Sequence, residues 1–129
     1  MSETSKDLVR RFYREAIVER DSSACERLLS ADFVHNGEAR GQAGQRAAVD
    51  YFLTAFPDLQ HKIELILSEG DLVAAHQRWE GHHQGEFMGA APTGNQVQFT
   101  STAILRIHEN QIAEAWDEMD TASILDQLS

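Results

Sequence analysis

The chain has 129 residues, 42% of them apolar and 25% charged, which suits one soluble domain (residues 1–129) with a single core and a small cavity. With 11 basic against 21 acidic residues the net charge is −10, and this argues against nucleic acid and anionic membrane surfaces, both of which require positive potential. The lone cysteine, Cys25, rules out an internal disulfide and a zinc site built on thiolates. No window reaches the ~20 apolar residues of a membrane span, and the polar start MSETSKDLVRR lacks a signal-peptide core, so a cytoplasmic protein is expected.

Thr4 and Asp7 form a capping box that predicts a helix over about 5–20, with Leu8, Val9, Phe12, Ala16 and Ile17 as its apolar stripe. Ser23 with Glu26 offers a second capping box, for a short helix through Leu29, where Cys25 has the place of a small buried residue. Phe33 to Asn36 read as a short strand closed by Gly37. After Gly41, Val49, Phe52, Leu53 and Phe56 follow the helical spacing until Pro57 stops it.

From residue 60 the period changes to two. HKIELILSEG and LVAAHQRWEGH make a hairpin around Gly70-Asp71, and Gln96 to His108 form a third long strand. Glu109-Asn110 turn that strand into a last one, Gln111 to Met119, and Thr121 caps a short final helix. Helices first and a meander later predict an α+β layer, with helices packed on a curved, mainly antiparallel sheet that encloses a pocket. Residues 84–95, QGEFMGAAPTGN, form a glycine-rich loop in which Phe87 and Met88 are too apolar for ordinary surface, fitting a pocket lid or a subunit contact.

Alternation then sorts the strand residues by face. Val73, Ala75, Gln77, Trp79, Gly81 and His83 share the more apolar side, whereas His76, Arg78, Glu80 and His82 share the wet one, so His83 is expected inside. His61 and His76, among polar neighbours, are expected at the surface. On the last strand Ile112, Glu114, Trp116, Glu118 and Asp120 share a side. An aromatic ring with a carboxylate four residues on suggests a half-buried acid of raised pKa, useful as a general acid or base. The alternative role for Asp120 is that of helix cap. His35, at a strand end after Phe33-Val34, is the other candidate histidine. No HxxxH or HExxH spacing exists, and no metal or cofactor is expected.

Taken together, LVRRFYREAI, ADFVHNG, AAVDYFLTAFPDLQHKIELILSEGD, GHHQGEFMGAAPTG and IAEAWDEMD with ILDQL resemble the SnoaL-like polyketide cyclase family, within the nuclear-transport-factor-2-like superfamily of cone-shaped α+β domains. The resemblance implies cofactor-independent intramolecular aldol ring closure on an enolisable polyketide-type carbonyl compound. It places the family's acid/base aspartate on Asp120 and its recurrent histidines on His35 and His83. Trp79, Phe87 and Trp116 would wall a pocket for a small apolar or aromatic carbonyl substrate. The same fold would serve an isomerase, hydratase or hydroxylase, or a non-catalytic small-molecule-binding dimeric domain. A homodimer is expected, because Ile104 on one face and Leu105 and Ile107 on the other make the third long strand apolar on both sides.

Overall fold

The computed structural model describes residues 4–129; Met1 to Glu3, part of the polar start read above, lie outside the described residues. Helix α1 (Ser5–Tyr13) begins as its capping box requires, Thr4 accepting the Asp7 amide at 3.1 Å, and runs on into a π-helical turn, Arg14–Val18. The second box does not form. The Ser23 side chain makes no cap bond; Asp21 Oδ1 takes the Ser23 amide and hydroxyl instead, and α2 (Ala24–Leu28) is one turn long. The chain becomes extended at Leu29, earlier than expected, as β1 (Leu29–His35), followed by a two-residue β2 (Glu38–Ala39). Helix α3 (Gly41–Ala55) ends before Pro57.

Strands β3 (Gln60–Glu69), β4 (Leu72–His82), β5 (Gln96–His108) and β6 (Gln111–Met119) form the meander, and α4 (Thr121–Gln127) closes the chain. The six strands lie in the order β2-β1-β6-β5-β4-β3, all pairs antiparallel except β1 with β6. Helices α1 and α3 and the inward-facing strand residues share one core. Leu8, Val9, Phe12, Phe33, Phe56, Val73, Val97, Leu105 and Ile112 are all buried there. Each such side chain contributes roughly 1.5–3 kcal/mol by leaving water. No helix among the described residues is long and apolar enough to cross a membrane.

The two long strands that the site depends on behave differently. In β4 the alternation runs unbroken: Val73, Ala75, Gln77, Trp79, Gly81 and the following His83 are buried. In β6 it does not. Leu105 pairs with Ala115 and Arg106 with Glu114, but Ile107 pairs with Ile112, which leaves Ala113 as a surplus residue. A bulge of this kind re-aims every side chain beyond it. Ile112 therefore faces inward, but after the bulge the inward residues are Ala115, Asp117 and Met119, while Trp116 and Glu118 turn outward.

Candidate active site

The concave face and the helices enclose a cavity of about 390 Å³, in the range of small-molecule sites. Its walls are mostly apolar: Phe12 from α1, Ile17 from the π-helical turn, Phe33 from β1, Val49 and Phe52 from α3, Trp79 from β4 and Leu105 from β5. The indole N–H of Trp79 donates to Ser101 Oγ at 2.9 Å, so this ring offers the cavity its apolar surface. Phe87 closes one side. It is buried against Phe52 and Phe56, with ring centroids 5.4 and 5.3 Å away, and a short bridge to Ala90 holds its backbone. Exposed Met88 lies at the edge, its amide donating to Tyr51 Oη at 2.7 Å. The loop can lie this close to α3 because residue 85 is glycine; a Cβ there would collide with the Thr54 carbonyl.

Into this apolar space projects one carboxylate, that of Asp117. Its Oδ1 is buried without a hydrogen-bond partner, and burial, with the neighbouring Glu118 charge second, pushes its pKa up to about 6 against a pull downward from Arg40. The backbone of Asp117 is held from β1. Asn36, in the left-handed region at φ 48°, accepts the Asp117 amide on Oδ1 at 2.8 Å and donates Nδ2 to the Asp117 carbonyl at 3.1 Å. The Asn36 side chain thus continues the parallel β1–β6 ladder after the β1 backbone has turned away.

His35, Arg40, Gln45 and Thr121 line the same cavity, and Arg40 is near enough to draw the Asp117 pKa down. His35 is half-buried, and burial, with Arg40 second, lowers its pKa, so the ring is neutral at pH 7. Arg40 donates to Gln45 Oε1 at 2.8 Å and has Glu38 at 3.9 Å. A base in apolar surroundings, with a neutral imidazole and a guanidinium in the same cavity, can remove a proton beside a carbonyl and hold the oxyanion that forms.

The bulge corrects two expectations. Asp120 does not enter the cavity: it is exposed and caps α4, Oδ1 accepting the Ser123 amide at 3.1 Å, a task expected of Thr121. Trp116 does not wall the cavity either; it lies on the opposite sheet face under the Arg106 guanidinium, 5.2 Å from the ring centroid. A third correction has another cause. His83 is fully buried, as its parity requires, yet it lies past the end of β4 and outside the cavity lining. Its Nδ1 accepts the Thr93 amide at 3.1 Å and its backbone bonds Asn95 and Gly94, so it ties together the two ends of the 84–95 loop. The inward face of this sheet is cavity at one end and solid core at the other.

His61 is not a plain surface residue: it stacks on Tyr13 with ring centroids 4.8 Å apart and lies 4.4 Å from Trp79. Cys25 is buried and burial pushes its thiol up to about 12, which leaves it unreactive at neutral pH. Among the described residues no three His, Cys, Asp or Glu side chains gather as a metal site. Asp117, Arg40 and Tyr13 were missed by the reading of the sequence. A signal for Asp117 existed, since Ala115 and Met119 lie on the side opposite Ile112 in strict alternation and a bulge brings all three to one face.

Comparison with known proteins agrees with this architecture. The profile of the SnoaL-like polyketide cyclase family matches residues 7–128. The chain belongs to that family. Its fold is the nuclear-transport-factor-2-like cone that the resemblance implied. Among solved structures, AclR of Streptomyces galilaeus, a candidate hydroxylase, is 32% identical with a TM-score of 0.86, the match covering 96% of this chain and 94% of AclR. TsrD of Streptomyces laurentii is 25% identical with a TM-score of 0.90, over 100% of this chain and 98% of TsrD. IdmH of Streptomyces antibioticus, a candidate polyketide cyclase, is 27% identical with a TM-score of 0.84, over 98% and 99% of the two chains. No protein of curated function matches the chain in sequence.

Proposed function

We propose that this member of the SnoaL-like family is a cofactor-independent cyclase that closes a ring in an enolisable, polyketide-type carbonyl compound by intramolecular aldol chemistry, with Asp117 as general acid/base. The observation that carries the reading is the Asp117 carboxyl in an apolar cavity, its Oδ1 buried without a partner and its pKa raised to about 6, where a base is effective near neutral pH. Asp117 takes the proton from the carbon between two carbonyls. The negative charge moves to a carbonyl oxygen, which His35 and Arg40 stabilise. The enolate carbon then attacks a second carbonyl of the same molecule, a carbon–carbon bond forms, and the new alkoxide recovers the proton from Asp117. The apolar walls keep water from that exchange.

The test uses an aromatic ring system bearing an acyclic β-keto ester chain and, ortho to it, an aldehyde for the enolate carbon to attack, followed by absorbance and mass spectrometry in D2O. Ring closure without added metal or redox cofactor, lost in Asp117→Asn, is the expected result. If the protein catalyses neither closure nor exchange of the acidic C–H, the reading fails. Similarity to AclR favours a second reading, hydroxylation of a bound substrate in the same pocket by dioxygen, with an added two-electron reductant taking the second oxygen atom to water. It would show as a product that has gained one oxygen atom.

We also propose that the protein is a homodimer joined through the outer sheet face. Leu67, Ala74, Ile104 and Trp116 are successive cross-strand partners on β3, β4, β5 and β6, and Leu67, Ile104 and Trp116 are 69%, 42% and 36% exposed. Such a row on an open sheet fits a self-complementary two-fold contact. A single monomer species in sedimentation at micromolar concentration contradicts it, as does a dimer left intact by Ile104→Lys.

A further inference from the structure

Cavity polarity is not confined to the Asp117 group. Helix α1 carries a second polar point, the hydroxyl of Tyr13, and the groups behind it determine which way its proton points. Gln77 is fully buried on β4 and bonded to both His61 and Tyr13. Its Oε1 can only accept, so the contact of 2.5 Å with His61 Nε2 is a bond donated by that ring. The orientation leaves the Gln77 amide N–H to donate to Tyr13 Oη, at 3.3 Å. A hydroxyl that accepts from behind has its own proton free to donate forward, and Tyr13 lines the cavity. The hydroxyl's hydrogen bond is the one it accepts from Gln77, and Asp117 Oδ1 has no partner. Burial, with the Asp117 charge second, raises the pKa of Tyr13, which keeps the phenol protonated. Stacking on His61 and edge contact with Trp79, centroids 4.8 and 6.1 Å apart, fix the ring.

We infer that Tyr13 is a hydrogen-bond donor to the bound ligand, that Gln77 and His61 are positioning residues which set its direction, and that the ligand presents a carbonyl oxygen towards α1. This deepens the reading of the same site as a pocket for a carbonyl substrate. Two separate polar points, one an acid/base with a cation and one a fixed neutral donor, select a molecule with oxygens at two places. A purely apolar ligand would leave the Tyr13 proton unsatisfied in a dry wall.

The test is isotope-edited infrared spectroscopy of 1-tetralone labelled at the carbonyl carbon and bound to the full chain. In the wild type the C=O band should lie below its position in an apolar solvent. In Tyr13→Phe it should return upward while affinity weakens about fivefold. In Gln77→Glu the new carboxylate takes the Tyr13 proton, and the band should return upward although the tyrosine is still present. Should that variant not fold, His61→Phe keeps the ring stack but removes the anchor of the amide, and the band should broaden and rise. A band unmoved by Tyr13→Phe, or no saturable binding of 1-tetralone, overturns the donor assignment. A wild-type band in Gln77→Glu or His61→Phe overturns the positioning role. Asp117→Asn should leave the band in place, so failure of the cyclase reading and failure of this one are told apart.

Discussion

Asp117 and Asp120 stand three residues apart and have opposite surroundings. Asp117 is on β6, inward, with an oxygen that no donor satisfies; Asp120 is at the start of α4, exposed, bonded to the Ser123 amide. Identical side chains therefore do different work. The inward one is made more basic by desolvation, with the Glu118 charge second, whereas the exposed one completes a helix end. Basicity here is a property of the wall and not of the residue.

The largest expected effect tests that contrast in turnover. Asp117→Asn keeps size and polarity but removes the base, and should lower kcat by about 10²–10⁴-fold on the β-keto ester substrate. A variant with undiminished kcat places the base elsewhere. The same group governs the pH profile. As a base Asp117 must be ionised, so kcat/KM should rise with pH through about 6, the folded-state value.

Stability should move the other way. The carboxyl has a pKa of about 6 in the fold against 3.8 for an ordinary aspartate, so the folded state prefers the protonated form. Its contribution is fully present below pH 3.8, declines as pH rises, and is lost above about 6. Charging it costs about 3 kcal/mol at neutral pH, so Asp117→Asn should be the more stable protein at pH 7, with the gap closing towards pH 4. Denaturant titrations at the two pH values measure it; a gap that does not change with pH would mean that the carboxyl is solvated.

How much of this was legible in the chain follows from the strands. Capping by Thr4, the α3 stripe, the hairpin at Gly70 and the alternation in β4 are local signals, and each appears where the sequence places it. The site depended on β6, where Ala113 bulges and turns the following side chains over. Ala113 itself carries no mark of a bulge, because an alanine fits either face. Tyr13 was hidden for a different reason: its hydroxyl matters through Gln77 and His61, 64 and 48 positions along the chain, and such pairings are set by tertiary packing. His83 shows the limit of parity, which assigns a face but not the cavity.

Asn36 sharpens the comparison because it acts on only one of the two acids. Its side chain makes two bonds to the Asp117 backbone and none to Asp120. Glycine accepts the same left-handed backbone, so Asn36→Gly removes the bonds without adding strain. The expected loss is about 1–2 kcal/mol of stability and a fall in kcat with KM little changed, because the apolar walls are intact. A kcat equal to the wild type would mean that β1 pairing alone fixes the acid.

The smallest effect belongs to Asp120. Asparagine caps helices about as well as aspartate, so Asp120→Asn should leave both melting temperature and turnover nearly unchanged. Asp120→Ala removes the acceptor of the Ser123 amide and should cost about 1 kcal/mol, again without loss of turnover once the protein is folded. The pair of variants separates cap from catalyst, because a cap responds to alanine and ignores asparagine, while a general base is lost in both. If Asp120→Asn lowered kcat as strongly as Asp117→Asn, the exposed acid would have to reach the substrate, and the β6 bulge would not be what selects the base.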